Sequence, residues 1–254
     1  MLVEKTGNGW RVFMTPTEYR IMLDAADSLD AEVAMRLLAA SLRVSRVAHR
    51  PLNTFKSVDT PYGQIWLCEV DQKNDPSVRN QAMSTREAWI PQRTIDKIRQ
   101  MNVDFNSDRQ LFLNTEATIR NWVKRAGERA AEQTGDRDFL KITPHDFRRY
   151  FATHMLYRVG ADEEVVRQLG GWKSVRNMQE YLRMPADVVA KELTKHQVLE
   201  GDMQTVDPNK AVHSKVNELD MALSNLDESQ RQKAEEQLKQ ILDTDYVQSS
   251  FQDL

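Results

Sequence analysis

The sequence predicts a mainly α-helical chain with one small antiparallel β-sheet, an α+β fold class. Two observations point there. Strong helix starts recur: Thr15-Pro16-Thr17-Glu18 and Thr143-Pro144-His145-Asp146 each pair a capping threonine with proline at the first helical position and an acidic residue three past the cap. Strand character is confined to Tyr62–Pro91, where the β-rich Gln64–Val70 is answered by Ala88–Ile90 across a polar turn at Asp71–Ser84.

Taken in order, Val3–Met14 reads as a short hairpin around Gly7-Asn8-Gly9. Helices are expected over 16–28 and 31–48, then, past the strands, over 92–102, 115–134, 144–159, 162–169 and 174–183. Gly160 ends one of these and Asp162 caps the next, with Glu163 and Glu164 set against its dipole. Gly170-Gly171 stops that helix, and Ser174 can cap the helix expected to carry Tyr181. Pro185 divides a body (1–184) from a helical tail (185–254). In the tail, Val212, Val216, Leu219, Leu223 and Leu226 alternate by four and three, a seam of about two heptads.

Charge separates the same two parts. The chain of 254 residues has a formal net charge of −3, but 185–254 holds 7 basic and 14 acidic residues, which leaves the body at +4. A mildly basic body permits nucleic-acid binding and an acidic tail can mask it. No apolar run is long enough to span a bilayer, so no membrane role is expected. The single cysteine, Cys68, excludes an internal disulfide or a multi-cysteine metal site and reads as a small buried hydrophobe. A reducing, cytoplasmic compartment is expected.

Chemistry concentrates between 144 and 181. His145 and Arg148 stand at i and i+3 in the first turn of a helix, where free backbone N–H groups already favour an anion. An arginine there can clamp a phosphate, and the imidazole can move a proton. Trp172 offers an indole N–H, and Tyr181, nine residues later, is a phenol that can attack. A free phenol has a pKa of about 10, so attack at neutral pH needs a proton acceptor or cationic surroundings. Singly, these residues read as a solvated helix face, a core anchor and a packing tyrosine. In this order and spacing they suit phosphoryl transfer to a tyrosine. No glycine-rich phosphate loop, His-Glu-x-x-His or nucleophile elbow competes.

The run His145-Asp146-Phe147-Arg148-Arg149-Tyr150-Phe151-Ala152-Thr153-His154, followed by Gly160-Ala161-Asp162 and Leu169, resembles the second signature box of the tyrosine recombinase (phage integrase) family, one residue longer at Tyr157–Val159. His154 belongs to the box but reads as a packing residue. Leu42-Arg43-Val44-Ser45 resembles the first box, commonly Gly-Leu-Arg-Ile-Ser-Glu, with Arg46 standing where an acidic residue is usual.

The resemblance implies a tyrosine recombinase catalytic-domain fold and transesterification without metal, nucleotide or other cofactor. Tyr181 is implied as nucleophile, giving a 3′-phosphotyrosine. Arg43 (with Arg50 as the alternative), His145, Arg148 and Trp172 are implied as stabilisers of phosphate charge, and Lys73 as proton donor to the leaving 5′-oxygen. Implied partners are double-stranded DNA and three further copies in a tetramer. The 42 residues ahead of Arg43 are too few for the family's separate DNA-binding domain, so an accessory DNA-binding protein, multimers or the tail are expected to help hold DNA. A type IB topoisomerase activity and a non-catalytic DNA-binding regulator remain as alternatives.

Overall fold

The computed structural model of the chain describes residues 1–7, 9–71 and 85–195. Lys73 and the tail seam from Val212 to Leu226 lie outside the described residues. Among the described residues, no helix is long and apolar enough to cross a membrane.

The chain opens with strands β1 (Leu2–Thr6) and β2 (Gly9–Phe13), paired antiparallel from Leu2–Phe13 to Thr6–Gly9. Helix α1 (Pro16–Asp24) starts with the expected capping box, in which Thr15 and Glu18 satisfy each other's backbone N–H groups. Helix α2 (Leu29–Ala39) then buries Ala31, Val33, Ala34, Met35, Leu37 and Leu38. A side chain of the leucine or methionine size contributes about 1.5–3 kcal/mol when fully buried, so this helix is the centre of the main core. It packs against α1, α3 (Val44–Ala48), α4 (Gln92–Arg99), α5 (Glu116–Thr134) and α6 (Pro144–His154).

The single helix expected over 31–48 is broken. Ala40 ends α2, Ser41 takes a left-handed φ of 67°, and α3 begins after Arg43. Two bonds close the break: Leu42 N–H to Leu37 O (3.2 Å) and Ser41 N–H to Leu38 O (3.0 Å). This is a Schellman stop, with Leu37 and Leu42 buried as its apolar pair. Glycine is the usual residue at the left-handed position, and a serine there left no stop signal in the sequence.

The small sheet has three strands rather than two, in the order β3 (Phe55–Thr60), β4 (Gly63–Asp71) and β5 (Thr85–Ile90), all antiparallel. The missed β3 is an edge strand exposed along most of its length, so its composition is that of a polar loop. Strand β5 begins three residues ahead of expectation and takes in Arg86. Cys68 is fully buried, and that burial pushes its thiol pKa up.

Past His154, α6 continues through Met155–Val159 as a π-helical turn that ends at Gly160. A π turn absorbs one inserted residue while keeping the helix axis, which gives the extra residue at Tyr157–Val159 a physical place. Helix α7 (Glu163–Gly170) follows its Asp162 cap, and α8 (Val175–Gln179) its Ser174 cap. Phe151, Ala152, Val166, Trp172 and Met178 form a second, smaller core there, with Tyr181 against it. Helix α8 stops short of the expected residue 183, leaving Tyr181 in the following turn with its N–H on Met178 O at 2.8 Å. Pro185 disfavours helical geometry at the residue before it, and α9 (Ala186–Lys195) starts afresh beyond. Met1–Glu192 make up one compact unit.

Candidate active site

The N-terminus of α6 is fixed first. Asp146 is fully buried and accepts from the Thr143 N–H (2.8 Å), the Thr143 hydroxyl (2.7 Å) and the Val12 N–H of β2 (2.9 Å). It also pairs with Arg149 at 2.5 Å. The cap therefore doubles as a bolt between the hairpin and α6. His145 and Arg148 inherit that rigidity.

Arg148 is 3% exposed, and its Nη1 donates to both the carbonyl (2.7 Å) and the hydroxyl (2.8 Å) of Ser41. Its Cζ lies 4.1 Å from the Trp172 ring centre and 5.5 Å from that of Tyr181. His145 and Tyr181 ring centres are 5.0 Å apart, those of Trp172 and Tyr181 5.2 Å. The structure thus gathers His145, Arg148, Trp172 and Tyr181 into one cluster. Trp172 is a packing anchor of the second core, yet its indole nitrogen and the Arg148 Nε are buried without a hydrogen-bond partner among the described residues.

The Gly170-Gly171 turn is dictated by close approach. A Cβ on Gly170 would fall 1.6 Å from the Trp172 ring. Gly171 has a φ of 68°, and a Cβ there would sit 2.3 Å from Arg86 Nε. Beside the turn, Arg167 donates to Trp172 O at 2.7 Å and holds the loop on α7.

A recess next to this cluster is lined by Arg43, Arg46, Val70, Asp71, Arg86, Arg148, Gly170, Gly171 and Lys173. Arg43 is exposed and makes no ion pair among the described residues. Arg46, the departure from the first box, pairs with Asp71 at 3.2 Å, a carboxylate supplied from β4. Arg50 is 3% exposed, donates to Arg46 O (3.1 Å) and Glu69 O (2.6 Å), and does not line the recess. Of the two first-box alternatives, only Arg43 faces the site.

Arg86 is the residue that sequence reasoning missed. Its Nη1 donates to Leu169 O and its Nη2 to Ser41 O at 2.9 Å, joining β5, the end of α7 and the α2–α3 break. A signal existed: Arg86, Ala88 and Ile90 alternate along one strand face, and the last two are fully buried. Arg149 was missed too. Its Cζ is 6.0 Å from the Tyr181 ring centre.

Electrostatically the site is cationic: Asp71 is the one carboxylate among the described residues that line the recess, against Arg43, Arg46, Arg86, Arg148 and Lys173. Burial, then repulsion from Arg86, holds Arg148 below the usual arginine range, and burial followed by Arg43 brings Arg86 to about 10. Both stay charged at neutral pH, so an entering anion relieves their mutual repulsion. His145 keeps one edge in solvent, but desolvation of its covered side, then Arg149 and Arg148, pushes it down to about 4. Its imidazole is neutral at pH 7 and can either accept a proton or donate its N–H. His154 stacks on Tyr150 with ring centres 5.2 Å apart, a packing role.

Helical body, three-stranded sheet, braced arginines and a tyrosine in the turn after α8 together describe a helical domain with a cationic recess beside a phenol. The sequence profile of the phage integrase family matches residues 12–186, and the chain belongs to that family. A probable site-specific recombinase of Escherichia coli is 34% identical over 100 residues, which are 37% of this chain and 40% of that protein. Tyrosine recombinase XerA of Pyrococcus furiosus is 30% identical over 115 residues, 44% of this chain and 40% of the relative. The matched stretches thus span well under half of these relatives' length. Among solved structures, a XerA recombinase superposes with a TM-score of 0.54 at 19% identity, covering 76% of this chain and 66% of that one. XerH bound to its palindromic difH substrate superposes with 0.51 at 15% identity, covering 74% and 54%. The fold is that of tyrosine recombinase catalytic domains.

Proposed function

We propose that this chain is a site-specific recombinase that cleaves and rejoins double-stranded DNA through a 3′-phosphotyrosine at Tyr181. The observation that carries the reading is the position of Arg148, whose guanidinium faces the Tyr181 and Trp172 rings while lining a recess shared with Arg43 and Arg86. A phosphodiester in that recess sits beside the phenol and beneath three cations. Tyr181 loses its proton to the neutral His145 or to water, and its oxygen attacks phosphorus. The P–O bond to the 5′-oxygen breaks, and that oxygen takes a proton, from Lys73 by the resemblance. Arg43, Arg148 and Trp172 stabilise the added charge on the non-bridging oxygens. The bond energy stays in the phosphotyrosine, so resealing needs no nucleotide. We place the action on DNA in the cytoplasm, with copies assembled as a tetramer or helped by an accessory DNA-binding protein.

The test is covalent capture. The chain incubated with a pool of nicked random-sequence duplexes in a chelator should yield a protein–DNA band that survives denaturation. Tyr181→Phe should lose the band and keep DNA binding, since only the nucleophilic oxygen is removed. A band that persists in this variant moves the nucleophile elsewhere, and a metal requirement for its formation rejects the mechanism.

A further inference from the structure

We infer that Ser41 is a positioning residue for Arg148, and that its left-handed backbone is what lets one residue hold the guanidinium by two oxygens. The inference rests on the recombinase reading of this site. Ser41 is fully buried with a φ of 67°, a region that side-chain-bearing residues rarely occupy. As a helix stop alone the position would be served better by glycine. What serine adds is its hydroxyl. The Ser41 carbonyl (2.7 Å) and Oγ (2.8 Å) both accept from Nη1 of Arg148, so that both of its hydrogens are directed at one residue.

Neighbouring contacts make Ser41 a junction. Its carbonyl also accepts from Arg86 Nη2 at 2.9 Å, and its Oγ–H donates to Gly170 O at 3.4 Å. The residue therefore connects the α2–α3 break, strand β5, helix α6 and the glycine turn that precedes Trp172. With Nη1 fixed and the guanidinium lying 4.1 Å over the Trp172 ring, the orientation of the plane is set from two sides. The Nε–H is then buried with no hydrogen-bond partner among the described residues. Backbone strain held at a site that orders a charged group is a recurrent feature of functional centres.

Two variants separate positioning from folding. Ser41→Gly and Ser41→Ala both lose the hydroxyl and keep the carbonyl, but glycine relieves the left-handed strain and alanine does not. The glycine variant should therefore melt above the alanine variant. In single-turnover cleavage of nicked duplex, both should be slowed alike, by about ten-fold, the scale of one hydrogen bond to a charged group. DNA affinity should stay within about two-fold of the unmodified chain, since the loss falls on orientation rather than on charge. A glycine variant that cleaves at the unmodified rate overturns the inference. So do cleavage rates that follow the melting order, which is the signature of a purely structural role.

A second readout is independent of turnover. Inorganic phosphate should raise the melting temperature of the unmodified chain through this recess, and by less in both Ser41 variants. An equal shift in Ser41→Gly and the unmodified chain also overturns the inference. If the unmodified chain forms no covalent adduct, the recombinase reading fails by itself and the phosphate shifts alone decide the role of Ser41.

Discussion

The recess has two walls, and they hold arginines by opposite means. The inner pair is the half-buried Arg86 and the buried Arg148, whose nitrogens are tied to backbone carbonyls and one hydroxyl of Ser41 and Leu169. The outer pair, Arg43 and Arg46, stands on the first turn of the short α3. One of these is exposed without an ion pair among the described residues, and the other is matched to Asp71. Inner cations depend on the fold for their geometry and in turn satisfy it. Outer cations add charge while fixing little. A carbonyl clamp preserves the full positive charge of a guanidinium, whereas a carboxylate partner cancels it. The inner wall can thus act as a preorganised anion site, and the outer wall as an adjustable one.

The largest effect should come from breaking the inner wall. Arg148→Ala is expected to slow cleavage by about 10²–10³-fold, the scale for losing a preorganised donor at a developing oxyanion. Arg43→Ala should cost about 10²-fold with the melting temperature unchanged, since no described ion pair is lost. Single-turnover rates and melting curves on the same preparations check both. If Arg43→Ala cleaves normally and Arg50→Ala does not, the first-box assignment is wrong, and the contrast between walls fails with it.

Arg86→Ala should act chiefly on the fold. It takes the donor from the Leu169 carbonyl, worth about 1–3 kcal/mol when buried, while the Ser41 carbonyl keeps its bond from Arg148. At this chain length, each kcal/mol lost lowers the melting temperature by roughly 2–4 °C. Cleavage should fall as well, because the same loss loosens the Ser41 clamp. A variant that melts normally and cleaves poorly would instead make Arg86 a direct phosphate ligand.

His145 gives a pH signature of intermediate size. Its folded pKa of about 4 lies below the unfolded value of about 6.5. The unfolded chain therefore binds the proton more readily, and stability from the neutral ring is complete above about pH 6.5 and is lost as pH falls toward 4. His154, also lowered by burial and then by Arg158, adds to the loss below about pH 6.5. His145→Gln should flatten part of the fall in melting temperature between pH 6.5 and 4, leaving the His154 share. An unchanged profile would mean that neither burial nor Arg149 and Arg148 lowers the pKa of this ring.

How much of this was readable depended on locality. The stretch from Thr143 to Tyr181 is written in caps, glycines and i, i+3 spacing that act within a few residues, and four of the expected side chains meet there. Even the extra residue at Tyr157–Val159 resolves into a local π turn. The helix break at Ser41 was illegible because serine carries no stop signal; its conformation answers to Arg86 and Arg148, 45 and 107 residues away. Strand β3 was missed because an exposed edge strand has no apolar alternation. Arg86 went unseen because its strand was begun too late, at Ala88. Sequence reasoning also posed the Arg46 problem without its answer, since Asp71 reaches it only through the β-sheet.

That answer supplies the smallest and most specific test. Both partners of the Arg46–Asp71 pair are about one third exposed, at 32% and 37%, so the pair itself is worth at most about 1 kcal/mol. Asp71→Asn should leave the fold and melting temperature essentially untouched. Asp71 is nevertheless the carboxylate among the described residues that line the recess. Without it, Arg46 gains an uncancelled charge beside Arg43. Nonspecific DNA binding should tighten by a few-fold at low salt, and the slope of log affinity against log salt should steepen by up to about one unit, as one more phosphate counterion is displaced. Arg46→Ala should reverse the change when combined with Asp71→Asn. If Asp71→Asn leaves the salt slope unaltered while Arg46→Ala lowers it, Arg46 already reaches DNA past its carboxylate, and the outer wall is not the adjustable one.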